Sequence, residues 1–216
     1  LDWLNLHGYE QLAANSVVAI PAAVGLGVMA DPLIPLLFGK SELAVHIMQL
    51  GCLSVVLYSL STVSNAILQG TNHMQVPVMH AALSLGIHVL TLEVLLRIFE
   101  LGIVGVVIAD MVFALSMCIL NAASLRSLLH YRQEIRRSFF LPAFCAALMG
   151  LVTAGAKIFL KRFTGRVVLY TLVPIFLAVA VYGALLLLTG AIREKELLRF
   201  PKGESLCRLA RKLHLI

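Results

Sequence analysis

Few side chains in this sequence could do chemistry, and each of them stands inside a long apolar run. Asp110 lies about eight residues into the run Gly102–Leu125, with no oppositely charged residue one turn away on its own helix. His88 lies within the run Pro77–Leu96, with no oppositely charged residue one turn away. Ser54, Tyr58, Ser61 and Asn65 are spaced 4, 3 and 4 apart, which places them on one helical face, with Ser64 and Gln69 nearby. A lone carboxylate or imidazole in apolar surroundings must face protein or water. A polar stripe of this kind either hydrogen-bonds a neighbouring helix or lines a wet cavity. Tyr58, Asn65, His88 and Asp110 are therefore the candidate substrate or cavity residues. Glu93 and Arg97, four apart at the end of their run, form a structural ion pair at the interface. His46 and His80, near run ends, carry less weight.

The sequence has no Walker loop, no HExxH, no GxSxG and no Asp/Glu cluster at metal-ligand spacing. Cys52, Cys118, Cys145 and Cys207 make no CxxC or CxxH, and three of them sit in apolar runs as small hydrophobes. No catalytic residue, metal site or cofactor is expected; the sequence does not read as an enzyme, and an ATPase is disfavoured. Transport would then be ion-coupled or gradient-driven.

The elements that carry these residues follow from composition. Of 216 residues 60% are hydrophobic and only 13% charged, against about half and a quarter in soluble domains. That excludes a soluble enzyme, a disordered chain and a disulfide-stapled secreted domain. Six apolar runs cover residues 13–38, 43–69, 77–96, 102–125, 139–160 and 167–188. Each reaches the roughly 20 residues a bilayer crossing needs, and backbone in hydrocarbon must satisfy itself internally. The fold class is all-α polytopic membrane protein with six transmembrane helices, a stub over residues 1–12 and a basic tail over 191–216. Pro21, Pro32 and Pro35 interrupt the first span and Pro174 the sixth, as in bent helices around a cavity. Pro77 and Pro142 instead open their spans. Ala146, Gly150 and Ala154 give the fifth span a small-residue face for close helix contact.

Eleven of the 17 basic residues fall on the side that holds both ends, including Arg126, Arg132, Arg136, Arg137 and the tail. Lys40, Arg97, Lys157, Lys161, Arg162 and Arg166 fall on the other. The bias predicts that both ends are cytoplasmic. In the tail Leu206, Leu209, Leu213 and Ile216 share a face opposite Arg208, Arg211 and Lys212, which predicts an interfacial helix on anionic inner-leaflet lipid. The net charge of +6 has no compact basic domain to display it, so nucleic acid is not an expected partner. The sequence begins at Leu1 and is expected to belong to a longer protein.

Several phrases resemble one family. IPAAVGLGVMADPLIPLLFG (Ile20–Gly39), NAILQGTNHMQVPV (Asn65–Val78) and GIVGVVIADMVFALSMCILN (Gly102–Asn121) resemble conserved spans and the LQG…P loop of polysaccharide-biosynthesis flippases. The ending KELLRFPKGESLCRLARKLHLI (Lys195–Ile216) resembles that of stage V sporulation protein B. The superfamily is that of the multidrug/oligosaccharidyl-lipid/polysaccharide exporters. The resemblance implies two six-helix lobes plus two extra helices, of which this sequence supplies the last six spans and lacks the first lobe. It implies a bacterial plasma-membrane flippase for lipid-linked oligosaccharide or peptidoglycan precursors, working by alternating access. Where the family often has a basic residue in the loop after LQG and a lysine in the next span, this sequence has His73 and His88, which ties anionic contact there to histidine protonation.

Two alternatives remain open. A multidrug/cation antiporter of the same superfamily would use buried acids, and Asp110 qualifies. A membrane-embedded glycan-processing enzyme would show a large external loop rich in Arg, His or acids, whereas the longest here is about ten residues around Lys157–Arg166.

Overall fold

The computed structural model describes residues 2–129, 139–164 and 166–189. Six α-helices fill them: α1 (Asp2–Phe38), α2 (Glu42–Gly70), α3 (Gln75–Arg97), α4 (Gly102–Leu129), α5 (Leu141–Thr164) and α6 (Val167–Leu188). All six are long and apolar enough to cross a membrane. The protein is an all-α, multi-pass membrane protein. The basic tail, with Arg208, Arg211 and Lys212, and the loop with Arg132, Arg136 and Arg137 lie outside the described residues.

The helix boundaries sit close to the apolar runs, with one difference. α1 starts at Asp2, so residues 2–12 of the expected stub are helical and continuous with the first span. Helical hydrogen bonding is local and does not stop where hydrocarbon would end. Tight turns join α1 to α2 and α2 to α3. Ser41 caps α2 by accepting from the Ala44 amide at 3.3 Å. Between α2 and α3, Asn72 takes a left-handed φ of 66°, which asparagine tolerates.

The helices pack in the spatial order α3, α4, α2, α1, with α5 and α6 together against the far side of α1. α2 and α3 flank α4 and scarcely touch each other. One buried cluster joins Leu12, Ile67, Leu68 and Leu125 from α1, α2 and α4. A second joins Cys145, Ala146, Met149, Ala178, Tyr182 and Leu186 of α5 and α6, with Val17, Ile20 and Val24 of α1 against it. The outer surface is apolar, with Leu90, Leu151, Phe176 and Val179 all exposed, as expected where the solvent is lipid.

Gly150 makes the α1–α5 contact possible. A Cβ built there would meet a methyl of Val24 at 2.7 Å, whereas one on Gly155 meets nothing within 4 Å. Overpacking of this kind costs about 1–3 kcal/mol. Gly150→Ala should therefore lower the thermal midpoint in detergent, and Gly155→Ala should leave it unchanged. Equal effects of the two would show that α5 is not seated on α1 as described.

Candidate functional site

The polar residues of α2, α3 and α4 meet in two groups at different depths. Nearer the α2–α3 turn, Asn121 of α4 is fully buried. Its amide nitrogen donates to Asn65 Oδ1 at 2.8 Å and to the Ser61 carbonyl at 3.3 Å. Its oxygen accepts from His80 Nδ1 at 2.8 Å, and Ser124 lies 3.2 Å from His80 Nε2. Because the Asn121 oxygen can only accept, the network places a proton on His80 Nδ1 and lets Ser124 donate to Nε2. Every polar atom of the Asn121 side chain is thus satisfied, and the three helices are tied at one point.

Closer to the middle of the helices, Tyr58 of α2 donates its hydroxyl to Asp110 Oδ1 of α4 at 2.5 Å. A contact this short is characteristic of a hydroxyl on a carboxylate. Phe113 stands one turn beyond Asp110, with its ring 6.2 Å from Tyr58 and 6.0 Å from His88, edge-on to the latter. His88 of α3 donates Nδ1–H to the Ala109 carbonyl at 2.9 Å, which leaves its Nε2 as an acceptor. Tyr58, His88 and Asp110 therefore gather around Phe113, while Asn65 belongs to the Asn121 group. Asp110 has no basic partner among the described residues. It lies about 12 Å along α4 from Gly102 at 1.5 Å per residue.

The serine hydroxyls of the α2 stripe do not join these groups. Ser54, Ser61 and Ser64 donate to carbonyls of their own helix, those of Gly51, Tyr58 and Leu60, at 2.6 to 2.9 Å. A hydroxyl within reach of the preceding turn satisfies itself there. Of the four residues at 4, 3 and 4 spacing, Tyr58 and Asn65 make the side-chain bonds across to α4.

A third polar cluster lies toward the α1–α2 turn. Lys157 of α5 reaches Asp31 of α1 at 2.9 Å, and Gln49 of α2 donates to the other Asp31 oxygen at 3.3 Å. Glu93 and Arg97 pair at 2.6 Å, both exposed at the end of α3. On the opposite flank of the molecule, an apolar groove of about 770 Å³ runs between α1, α5 and α6, walled by Val18, Met29, Met149, Val179 and Leu186. No three His, Cys, Asp or Glu side chains among the described residues come together as a metal-binding group.

One curated protein is similar to this sequence over most of its length. The chain is similar to the probable lipid II flippase MurJ of Bdellovibrio bacteriovorus, with 33% identity over 195 residues, 84% of this chain and 36% of that protein. It spans about a third of the length of the curated relative it matches. No protein-family model and no solved structure matches it. The similarity is to a transporter and not to an enzyme.

Three features of the site escape a reading by residue type. Asn121 ends an apolar phrase and is easily taken for a helix terminus, yet it is the centre of a network. Asp31 hides in the run that carries three prolines, and the Asp-Pro dipeptide is its visible signal. Lys157 looks like one of a group of loop charges, although it lies seven residues inside α5.

Proposed function

We propose that the chain is the C-terminal part of a bacterial flippase that moves a lipid-linked cell-wall precursor across the plasma membrane. The observation that carries this reading is the 33% identity to a probable lipid II flippase, which extends over most of the chain and hence over most of its six spans. The relative's greater length leaves room for a second lobe, with alternating access by rocking of the two. The resemblance of the tail to a sporulation protein leaves the precise precursor to the same class of lipid-linked saccharides.

In this reading Tyr58, Asn65, His88 and Asp110 line the polar path for the headgroup. The groove between α1, α5 and α6 takes the hydrocarbon, because its walls are apolar and it adjoins lipid-facing residues such as Val18 and Val179. Both chain ends are cytoplasmic, a reading that rests on the eleven of 17 basic residues on that side. The tail rests on anionic lipid through Arg208, Arg211 and Lys212.

The test is translocation of a fluorescent lipid-linked pyrophosphoryl saccharide by the whole gene product in liposomes. The label should cross with the whole protein and should not cross with the six spans alone. Failure of the whole protein overturns the flippase reading, and activity of the six spans alone overturns the need for another lobe. A cation antiporter is the second reading, favoured by the unpaired Asp110 carboxylate.

A further inference from the structure

Two of the three proline breaks in α1 are closed from outside the helix. A proline lacks the N–H that would bond the carbonyl four residues earlier, so Pro21 frees the Val17 carbonyl and Pro32 frees that of Val28. In a hydrocarbon environment a free carbonyl must find another donor. Both do, and both donors come from the α5–α6 hairpin. The Tyr182 hydroxyl of α6 donates to the Val17 oxygen at 2.7 Å. The Lys157 ammonium of α5 donates to the Val28 oxygen at 2.8 Å while pairing with Asp31.

The match is selective. Pro35 and Pro174 free the carbonyls of Asp31 and Tyr170, and no side chain among the described residues donates to either. Repair occurs where the hairpin lies on α1. Val17 and Val28 are eleven residues apart, close to three full turns, so the two carbonyls face the same way. The apolar groove runs along α1 from Val17 to Leu33, between and beside these two points.

We propose that Tyr182 and Lys157 are positioning residues that close the proline breaks of α1 from outside, and so hold the α5–α6 hairpin at a set distance and fix the width of the groove. The two fastenings differ in strength. Lys157 is charged and holds a carboxylate and a carbonyl together, whereas Tyr182 makes one neutral hydrogen bond. The hairpin therefore stays anchored at Lys157 and swings open at Tyr182, where Pro21 leaves α1 free to bend. Only the statement that the groove holds hydrocarbon rests on the flippase reading; the fastening is intramolecular.

The test measures distance between nitroxide labels at Val18→Cys and Val179→Cys, across the groove, in the full-length protein in nanodiscs with Cys52, Cys118, Cys145 and Cys207 replaced by alanine. Tyr182→Phe should lengthen and broaden the distribution by several ångströms. Adding Pro21→Ala gives the Val17 carbonyl a donor within α1 but restores no bond to α6, so the double variant should stay as broad as the single one. An unchanged distribution in Tyr182→Phe overturns the proposal, as does a double variant that returns to the native width. Lys157→Met with and without Pro32→Ala repeats the cycle at the other fastening, and Lys157→Arg should keep the native distribution. Because the readout is distance rather than transport, these results stand whether or not the protein moves a lipid.

Discussion

Replacing Asn121 with leucine should destabilise the bundle more than any other single substitution in α4. The two side chains are similar in size, so little cavity arises, and the cost is in hydrogen bonds. His80 Nδ1–H loses its acceptor, while Asn65 Oδ1 and the Ser61 carbonyl lose their donor. A buried polar group left without a partner costs about 1–3 kcal/mol in soluble proteins. Between membrane helices the measured mean is nearer about 0.6 kcal/mol per bond, because the separated helices also find partners. With three bonds lost at once, about 2 kcal/mol is the expected minimum. The measurement is the fraction of protein that stays monodisperse after heating in detergent. Ser124→Ala, which removes one outlying bond to His80, should have little effect, and His80→Ala should fall between. If Asn121→Leu melts with the native protein, the network does not hold α2, α3 and α4 together.

Most of the fold was legible in the sequence for a simple reason. A span announces itself by twenty or more continuous apolar residues, and the six runs lie within a few residues of the six helices. The start of α1 was not legible, since polar residues before Ala13 read equally as loop or as helix outside the hydrocarbon. Candidate polar residues could be picked out by type, but their partners could not. Spacing puts Ser54, Tyr58, Ser61 and Asn65 on one face; it cannot say that the serines turn back onto their own helix while Tyr58 and Asn65 reach α4. The freed carbonyls of Val17 and Val28 could be written down from the positions of Pro21 and Pro32. Which helix would supply the donors depends on packing between residues more than 120 apart in the chain. Lys157 shows the same limit from the other side: counted as a loop charge it weakens the assignment of orientation, and seen against Asp31 it ceases to be a loop charge at all.

Asp110→Asn should leave the α2–α4 contact standing and reduce transport by at least about tenfold, which is about 1.4 kcal/mol of barrier. The asparagine oxygen can accept the Tyr58 hydroxyl where Asp110 Oδ1 does now, so the hydrogen bond survives and the charge alone is removed. A drop in transport with an unchanged melting curve therefore isolates a role for the carboxylate in moving substrate or ion. Tyr58→Phe makes the opposite cut, keeping the carboxylate and deleting its donor, and should lower stability as well as transport. The double variant Tyr58→Phe/Asp110→Leu completes the separation. Replacing both partners with apolar groups of similar shape can be nearly neutral for folding, so its melting curve should return toward native while transport stays lost. Full transport in Asp110→Asn would assign Tyr58 and Asp110 to holding α2 against α4. Loss of ion-dependent drug efflux in a protein that moves no lipid would instead move the whole chain to the antiporter reading, with the same carboxylate at its centre.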